Sequence, residues 1–189
     1  LLVFGRLAGL GAKEYISKLS GSVNINEEQV TAAIRKATDI LNREKGTNPY
    51  IIHEQLQETM QDNVGIIRVE NELKKALEDI ERLKGEAALV KAPGSSQYNP
   101  GWHEALSLHS MLVTSEAVAR AALIRQESRG GHTREDFPDE SKEWVKYNIV
   151  SKKGPDGKMI TEKIMKPEPP EYLRQIADAS LEDLEAGKL

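Results

Sequence analysis

The sequence predicts a mainly α protein: an antiparallel helical bundle of three to five helices, followed by a β-hairpin and an irregular C-terminal tail. Three observations predict this class. Apolar residues recur at steps of three and four through most of residues 1–129, which is the helical period. Asn-Pro pairs stand directly before two of these stretches, as at helix starts. The apolar period changes to two only after Pro138.

The first predicted helix covers residues 1–19. It opens inside an apolar stretch, Leu1 to Gly9, and no residue there caps its first four N–H groups. We therefore expect residues 1–20 to be the end of a helix that belongs to a missing domain, with Leu1 as a cut edge.

Two further helices follow with clear starts. Asn26 is the predicted N-cap of the second helix, which runs to about Lys45. The third begins at Asn48-Pro49, where proline costs no hydrogen bond because the N–H of the first helical position has no partner in the helix. Its apolar face comprises Ile52, Leu56 and Met60.

The fourth and fifth helices complete the predicted bundle. From Ile66 to Ala87, apolar residues alternate at steps of three and four, which predicts a helix packed along one seam. The fifth helix should begin at Asn99-Pro100 and run to about Arg129, where Gly130-Gly131 would end it. Because it is apolar or small on nearly every side, we predict that it is central, with the third and fourth helices antiparallel beside it.

A β-hairpin is predicted after the bundle. Its strands lie within Trp144–Val150 and Met159–Met165, on either side of a Pro-Asp-Gly turn. A proline-rich connector and a short helix containing Tyr172, Leu173 and Ile176 would follow. The predicted domains are therefore the helix end at 1–20, the helical bundle at 21–138, and the hairpin with the C-terminal tail at 139–189.

Composition excludes several functions. The formal net charge is −4 with 30% charged residues, which argues against a nucleic-acid surface. The chain has no cysteine, so disulfides and iron–sulfur ligation are excluded, and no apolar run approaches the roughly 20 residues that span a bilayer. His103 and His109 are spaced to point in different directions on one helix, so we predict no metal site.

Residues 127–138, which we call the signature loop, concentrate charge around a diglycine at the end of the long helix. One interpretation is that Arg129 and His132 serve the helix C-terminus, where orphan carbonyls need donors, while Glu127 or Asp136 pairs with Arg134. The alternative is a polar loop that meets another domain or subunit, where arginine pairs bidentately with carboxylates.

The signature loop closely resembles the ESRG-x-H-x-R-x-D-F/Y-P motif of succinate dehydrogenase and fumarate reductase flavoproteins. Residues 2–9 look like the helix that follows the FAD-contacting Ser-Leu pair in the same family. The stretch from Leu56 to Arg68, with Met60, Val64 and Gly65, is similar to the family's L-x-x-x-M-x-x-x-V-G-I-x-R segment. The three motifs occur in the family's order.

The resemblance implies a C-terminal structural and interaction domain in an FAD-dependent oxidoreductase that interconverts succinate and fumarate. The intact subunit would hold FAD, while the family's catalytic and flavin-binding residues lie upstream of Leu1. This chain alone is therefore predicted to be inactive, with no catalytic, cofactor-binding or metal residue. Its implied partners are the FAD-binding domain of the same chain and the iron–sulfur subunit. The implied location is cytoplasmic, peripheral on the membrane, without direct insertion.

The candidate interface residues on this resemblance are Arg129, His132 and Arg134, oriented by Glu127 and Asp136. Two alternatives remain open. The chain resembles L-aspartate oxidase and adenylylsulfate reductase in architecture, although Arg134 in the H-x-R-x-D-F-P form is closer to the succinate and fumarate enzymes. A stand-alone helical adaptor without a catalytic role is the other alternative.

Overall fold

The computed structural model describes residues 1–21 and 24–187. It confirms the mainly α class, with one small antiparallel hairpin near the C-terminus. The helices are α1 (Leu2–Ser17), α2 (Glu27–Asn42), α3 (Pro49–Val64), α4 (Glu70–Ala87), α5 (Pro100–Ile124), α6 (Glu171–Asp178) and α7 (Leu181–Glu185). The strands are β1 (Ile67–Arg68), β2 (Thr133–Arg134), β3 (Tyr147–Lys153) and β4 (Met159–Met165).

The chain divides into two compact units, residues 1–39 and 40–189. The first unit contains α1 and most of α2. Asn26 caps α2 as predicted, because its Oδ1 accepts a hydrogen bond from the Gln29 amide at 3.1 Å. Every residue of α1 is exposed, including Leu2, Phe4 and Leu7.

The second unit is built around α3, α4 and α5. Their facing side chains form one aliphatic core, which consists mainly of Ile52, Leu56, Leu73, Ala76, Ile80, Leu83, Leu108, Leu112 and Ala119. Asn48 and Asn99 cap α3 and α5 as predicted, each accepting a backbone N–H in the first turn of its helix. Because His53 and Glu104, near the starts of α3 and α5, lie 2.6 Å apart, α3 runs parallel to α5. The prediction that α3 and α4 are both antiparallel to α5 was therefore wrong for α3.

Two helix boundaries differ from the prediction. Helix α4 begins at Glu70, since Ile67 and Arg68 pair with β2 as a short parallel strand and Ile66 is exposed. Helix α5 ends at Ile124, because Arg125 is already extended, and the diglycine lies beyond the helix end. Although α5 is apolar on most sides, only one stripe of it is buried, and Leu106, Val113 and Val118 are exposed.

The predicted hairpin is present, starting slightly later than expected. Residues 144–146 form a turn of 3₁₀-helix, and β3 pairs with β4 from Tyr147↔Met165 to Lys153↔Met159. The hairpin lies against α5, where Trp144 is buried. Trp144 is flanked by two cations, with the Arg125 guanidinium 5.4 Å and the Lys163 amine 4.0 Å from its ring centroid, which favours this docking through cation–π attraction. In the C-terminal tail, α6 is the predicted short helix with Tyr172, Leu173 and Ile176, and α7 follows it in a part that was predicted to be irregular.

Candidate functional site

The signature loop is separated from the end of α5 by two residues and returns to the bundle at β2. Its parallel pairing with β1 places Arg68 opposite Arg134. This pairing brings the segment between α3 and α4 next to the end of α5. The candidate site is therefore formed by two chain segments that the helices of the bundle hold side by side.

Arg134 caps the C-terminus of α5. Its Nη1 donates to the carbonyl oxygens of Ala122, Leu123 and Arg125 at 2.8, 3.1 and 3.3 Å. Nε and Nη2 donate to the two carboxylate oxygens of Asp136, both at 2.7 Å. The side chain has no exposed surface. Arg134 thus satisfies carbonyls that the helix cannot pair internally.

Asp136 connects the loop to α4 as well as to Arg134. Its Oδ2 accepts a hydrogen bond from the Glu70 amide, at the start of α4, at 3.0 Å. The hydrogen bonds from Arg134 and from this amide hold the pKa of Asp136 below its ordinary value against the opposing effect of burial. Asp136 therefore orients Arg134, in the role predicted for one of the two acids.

Glu127 is a buried carboxylate that receives donors from three groups. Arg125 Nη1 lies 2.6 Å from Oε1, Arg129 Nη2 lies 3.1 Å from Oε2, and the Ser141 amide donates to Oε2 at 2.9 Å. Burial alone would raise the pKa of Glu127, but these hydrogen bonds outweigh it and lower the pKa. Glu127 therefore joins the end of α5 to the segment that leads into the hairpin.

Arg129 is the most accessible arginine of the signature loop, with about a third of its side chain exposed (34%). Besides Glu127, it contacts Glu140 Oε2 at 3.1 Å and donates to the Ser141 carbonyl at 3.2 Å. One interpretation of the sequence, the helix-end interpretation, assigned Arg129 to the carbonyls at the C-terminus of α5. Among the described residues, Arg129 contacts none of these carbonyls. Arg134 makes those contacts instead.

His132 is held between an arginine and a carbonyl. Arg68 Nη1 lies 2.8 Å from its Nδ1, and its Nε2 lies 3.1 Å from the Arg125 carbonyl oxygen. Because a guanidinium only donates, Nδ1 must accept and the ring proton must lie on Nε2, which donates to the carbonyl. His132 thus serves the end of α5, as the helix-end interpretation predicted, and it is neutral in this arrangement.

Protonation of His132 is expected to destabilise the bundle. Burial, and then the charges of Arg68, Arg134 and Arg125, lower the pKa of His132. At a pH above about 6.5, the pKa of histidine in the unfolded chain, a histidine whose folded pKa is lowered makes its full contribution to stability. This contribution is lost as the pH falls toward the folded pKa. We expect the unfolding free energy to fall between pH 7.5 and 5.5 by more in the wild type than in His132→Gln. Urea unfolding at each pH measures this, and equal slopes would contradict it.

The diglycine forms a tight reversal between Arg129 and His132, whose backbones exchange two hydrogen bonds. Gly130 has a φ of 59°, in the left-handed region, whereas Gly131 does not, and a Cβ would meet no atom within 4 Å at either position. Gly130→Ala should therefore lower the unfolding free energy by about 1–2 kcal/mol. Gly131→Ala is the matched control and should change it by less than about 0.5 kcal/mol. Equal losses in chemical denaturation would contradict this assignment.

The structure brings all five predicted candidates into one cluster, but with different exposure. Arg134 and Glu127 are fully buried, whereas Arg129 and His132 are partly exposed. Five further residues of the cluster were not among the candidates: Arg68, Arg125, Ser128, Glu140 and Ser141. Ser128 Oγ accepts the Arg134 amide at 2.8 Å and lies 2.9 Å from the Phe137 carbonyl oxygen, so it fixes the loop's shape. For Arg68, the sequence did offer a signal, because Arg68 ends the Leu56–Arg68 segment that resembles a family motif.

Residues 1–21 and 24–187 lack two features, a glycine-rich strand-to-helix turn and a cluster of metal ligands. Strand β1 leads into α4 with only Val69 between them, so no glycine-rich loop is present to cradle the phosphates of FAD. Within residues 1–21 and 24–187, no group of three or more potential ligands could hold a metal ion. Over the same residues, none of the helices has the length and apolar character that crossing a membrane requires.

Two solved structures illustrate which proteins share this fold. The Mycobacterium smegmatis Sdh1 complex in its apo form matches with a TM-score of 0.86 and 38% identity, over 98% of this chain and 32% of that one. Adenylylsulfate reductase from Archaeoglobus fulgidus matches with a TM-score of 0.73 at 22% identity, which shows a common fold. The fold and the loop together define a class: a helical domain from the C-terminal part of a flavoprotein oxidoreductase subunit.

Residues 53–173 match the family model described as fumarate reductase flavoprotein C-term. The chain therefore belongs to the succinate dehydrogenase and fumarate reductase flavoprotein family, as the sequence resemblance indicated. One subunit of the CoM/CoB fumarate reductase of Methanothermobacter marburgensis is 34% identical over 80% of this chain. The succinate dehydrogenase flavoprotein subunit of Coxiella burnetii is 28% identical over 82% of it. The chain spans 27% of the length of each of these two relatives.

Proposed function

We propose that this chain is the C-terminal structural and interaction domain of a flavoprotein subunit that interconverts succinate and fumarate. The observation that carries the proposal is the family match, which covers most of α3, all of α4 and α5, the complete signature loop and the hairpin. The names of the relatives support the succinate and fumarate pair. Complete protein that oxidised aspartate and not succinate would instead support the L-aspartate oxidase alternative.

The chemistry would be performed outside this chain. In the complete subunit FAD would accept or donate the hydride, and the residues described here would neither bind flavin nor contact substrate. The chain alone is therefore expected to be inactive and to purify without yellow colour. In the complete complex we place this domain on the cytoplasmic side of the membrane, as a peripheral component without a nucleic-acid partner.

We assign residues 1–20 to a helix that packs against the FAD-binding domain. Helix α1 supports this assignment because its large apolar side chains are exposed, and such a surface normally indicates an interaction site. Residues 21–138 would then be the bundle that braces the flavin domain, and residues 139–189 the hairpin and tail.

We assign the contact with the iron–sulfur subunit to the signature loop. Arg129 supplies an accessible charged group beside the exposed tip Gly130-Gly131, and His132 is partly exposed next to that tip. Glu127, Asp136 and Arg134 would act by holding the loop in shape, because their hydrogen bonds fix both of its ends. A rigid, pre-organised loop loses less entropy on association than a flexible one.

The test is an association measurement on the complete flavoprotein. Arg129→Ala should weaken binding of the iron–sulfur subunit by about tenfold, as for a residue central to an interface. Arg82→Ala is a matched control, since Arg82 is an exposed, ion-paired arginine on α4. Equal affinities for wild type and Arg129→Ala, by surface plasmon resonance, would show that the loop does not make this contact.

A further inference from the structure

Arg68 differs from the other arginines of the cluster in having no acidic partner. Arg125, Arg129 and Arg134 each lie within 4 Å of a carboxylate. In the described part of the chain, no carboxylate lies within that distance of the Arg68 guanidinium, whose contacts are two backbone carbonyls and a neutral imidazole. The four arginines of the cluster therefore share three carboxylates, those of Glu127, Asp136 and Glu140.

The Arg68 guanidinium is nevertheless held in a fixed position. Its Nε donates to the carbonyl oxygens of Val64 and Gly65, both at 2.9 Å, and Nη1 donates to His132. Its backbone is fixed in β1, where the Arg68 carbonyl accepts the Glu135 amide at 3.0 Å. Nη2 has no hydrogen-bond partner among the described residues and is not fully buried. One nitrogen of the guanidinium is thus held in position and keeps some exposure.

A partly buried guanidinium that has no carboxylate partner favours the binding of an anion. Burial without a compensating carboxylate lowers the pKa of Arg68, because the charged form loses hydration. Buried charges in proteins are normally paired, and the planar fork of arginine matches a carboxylate. His132 cannot supply the missing negative charge, because it is neutral and accepts only one of the five guanidinium protons.

The surroundings of Arg68 favour a polypeptide as the source of that anion. Ile66 and Ile67 precede it directly and are exposed to 82% and 63%. Exposed aliphatic side chains around a fixed arginine are typical of a protein interface, whereas a site for a free anion would gain nothing from them.

We propose that Arg68 is a carboxylate-binding site, filled in the assembled protein by an aspartate or glutamate side chain of the iron–sulfur subunit. The inference rests on the proposed function, because it requires a neighbouring protein surface. His132 and the end of α3 position the guanidinium, and the incoming carboxylate accepts from Nη2. Charge in the cluster is then balanced, with four arginines facing four carboxylates.

The first experiment measures the accessibility of Arg68. Phenylglyoxal modifies free guanidinium groups, and peptide mass spectrometry locates the modified arginines. Arg68 should react in the complete flavoprotein alone and lose this reactivity when the iron–sulfur subunit is bound, while Arg82 reacts in both states. Equal reactivity of Arg68 in both would overturn the proposal. Reactivity in the complex that acetate suppresses would also overturn it, since it would identify a free anion as the ligand.

The second experiment separates binding from a purely structural role. Arg68→Gln should weaken assembly of the complete protein by about 30-fold, and Arg68→Lys should restore part of the loss because it keeps the charge without the fork. Unchanged affinity together with a less stable chain would mean that Arg68 only holds the loop. If Arg129→Ala weakens assembly and Arg68→Gln does not, this inference fails and the proposed function stands. If neither does, the interface assignment of the proposed function fails as well.

Discussion

Replacing Arg134 by alanine is expected to lower the free energy of unfolding by about 3 kcal/mol, the lower end of the range for a broken buried ion pair. The lower end applies because Asp136 keeps 28% of its side chain exposed and can be rehydrated. The substitution also removes the donor for three carbonyl oxygens at the end of α5, which leaves them without their described partner.

Urea unfolding of the chain measures this loss. Arg134→Lys should fall between wild type and alanine, because one ammonium cannot reach both the carbonyls and Asp136. Arg174→Ala is the control, since Arg174 is half exposed and pairs with Glu168 on the surface, where such a pair contributes about 0–1 kcal/mol. If the two alanine variants lost the same stability, the capping role of Arg134 would be wrong.

Glu127→Gln is expected to cost about 2–4 kcal/mol, because the amide removes the charge that two arginines and the Ser141 amide pair with. The fully buried position offers no water to replace those contacts. The matched control is Glu140→Gln, whose carboxylate is 63% exposed and contacts Arg129 only from the surface. A glutamine variant at 127 as stable as the control would exclude this central role of Glu127.

The same contacts predict acid sensitivity. The folded pKa of Glu127 is lowered. Its contribution to the unfolding free energy is therefore complete at a pH above the unfolded-state pKa, about 4.3, and disappears as the pH falls through the folded pKa. Asp136 acts in the same direction. The wild-type chain should therefore lose unfolding free energy below about pH 4.3, and Glu127→Gln should lose less over the same range, as chemical denaturation at each pH would show.

Helix starts were predictable because their signals are local. Asn48 and Asn99 each precede a proline, and each side chain accepts a backbone N–H only two or three residues away. The hairpin is similar, since its turn residues and alternating strands lie within about twenty residues of chain. Such features depend on neighbours that the sequence itself places together.

Two helix boundaries near the signature loop, the start of α4 and the end of α5, were not predictable from the local pattern. Residues 66–69 continue the apolar spacing of α4, yet Ile67 and Arg68 form a strand because β2 lies beside them. The sequence beyond Ile124 would allow the helix to continue. Arg134 and His132, however, donate hydrogen bonds from outside the helix to carbonyl oxygens at its C-terminal end. In both cases a tertiary contact decided between conformations that the local sequence allows.

The identity of the capping arginine could not be predicted either. Arg129 is closer in sequence to the end of α5, which favoured it as the donor. Two residues beyond the reversal at Gly130-Gly131, however, the chain enters β2, and this strand directs Arg134 back under the helix end. Arg129 is left pointing toward Glu127 and Glu140. Distance along the chain was a poor guide because the diglycine reverses its direction.

The pairing of β1 with β2 has a consequence for the order of folding. The Glu70 amide and Asp136 are 66 residues apart in sequence, and they meet only when α4 and α5 lie side by side. Closing so long a segment costs chain entropy before any contact in the loop repays it. The signature loop should therefore form after the bundle, so that an incompletely folded subunit would not yet present it to a partner. The Glu135 amide, which donates to the Arg68 carbonyl, should accordingly exchange its hydrogen through local opening of the loop, before the bundle as a whole unfolds.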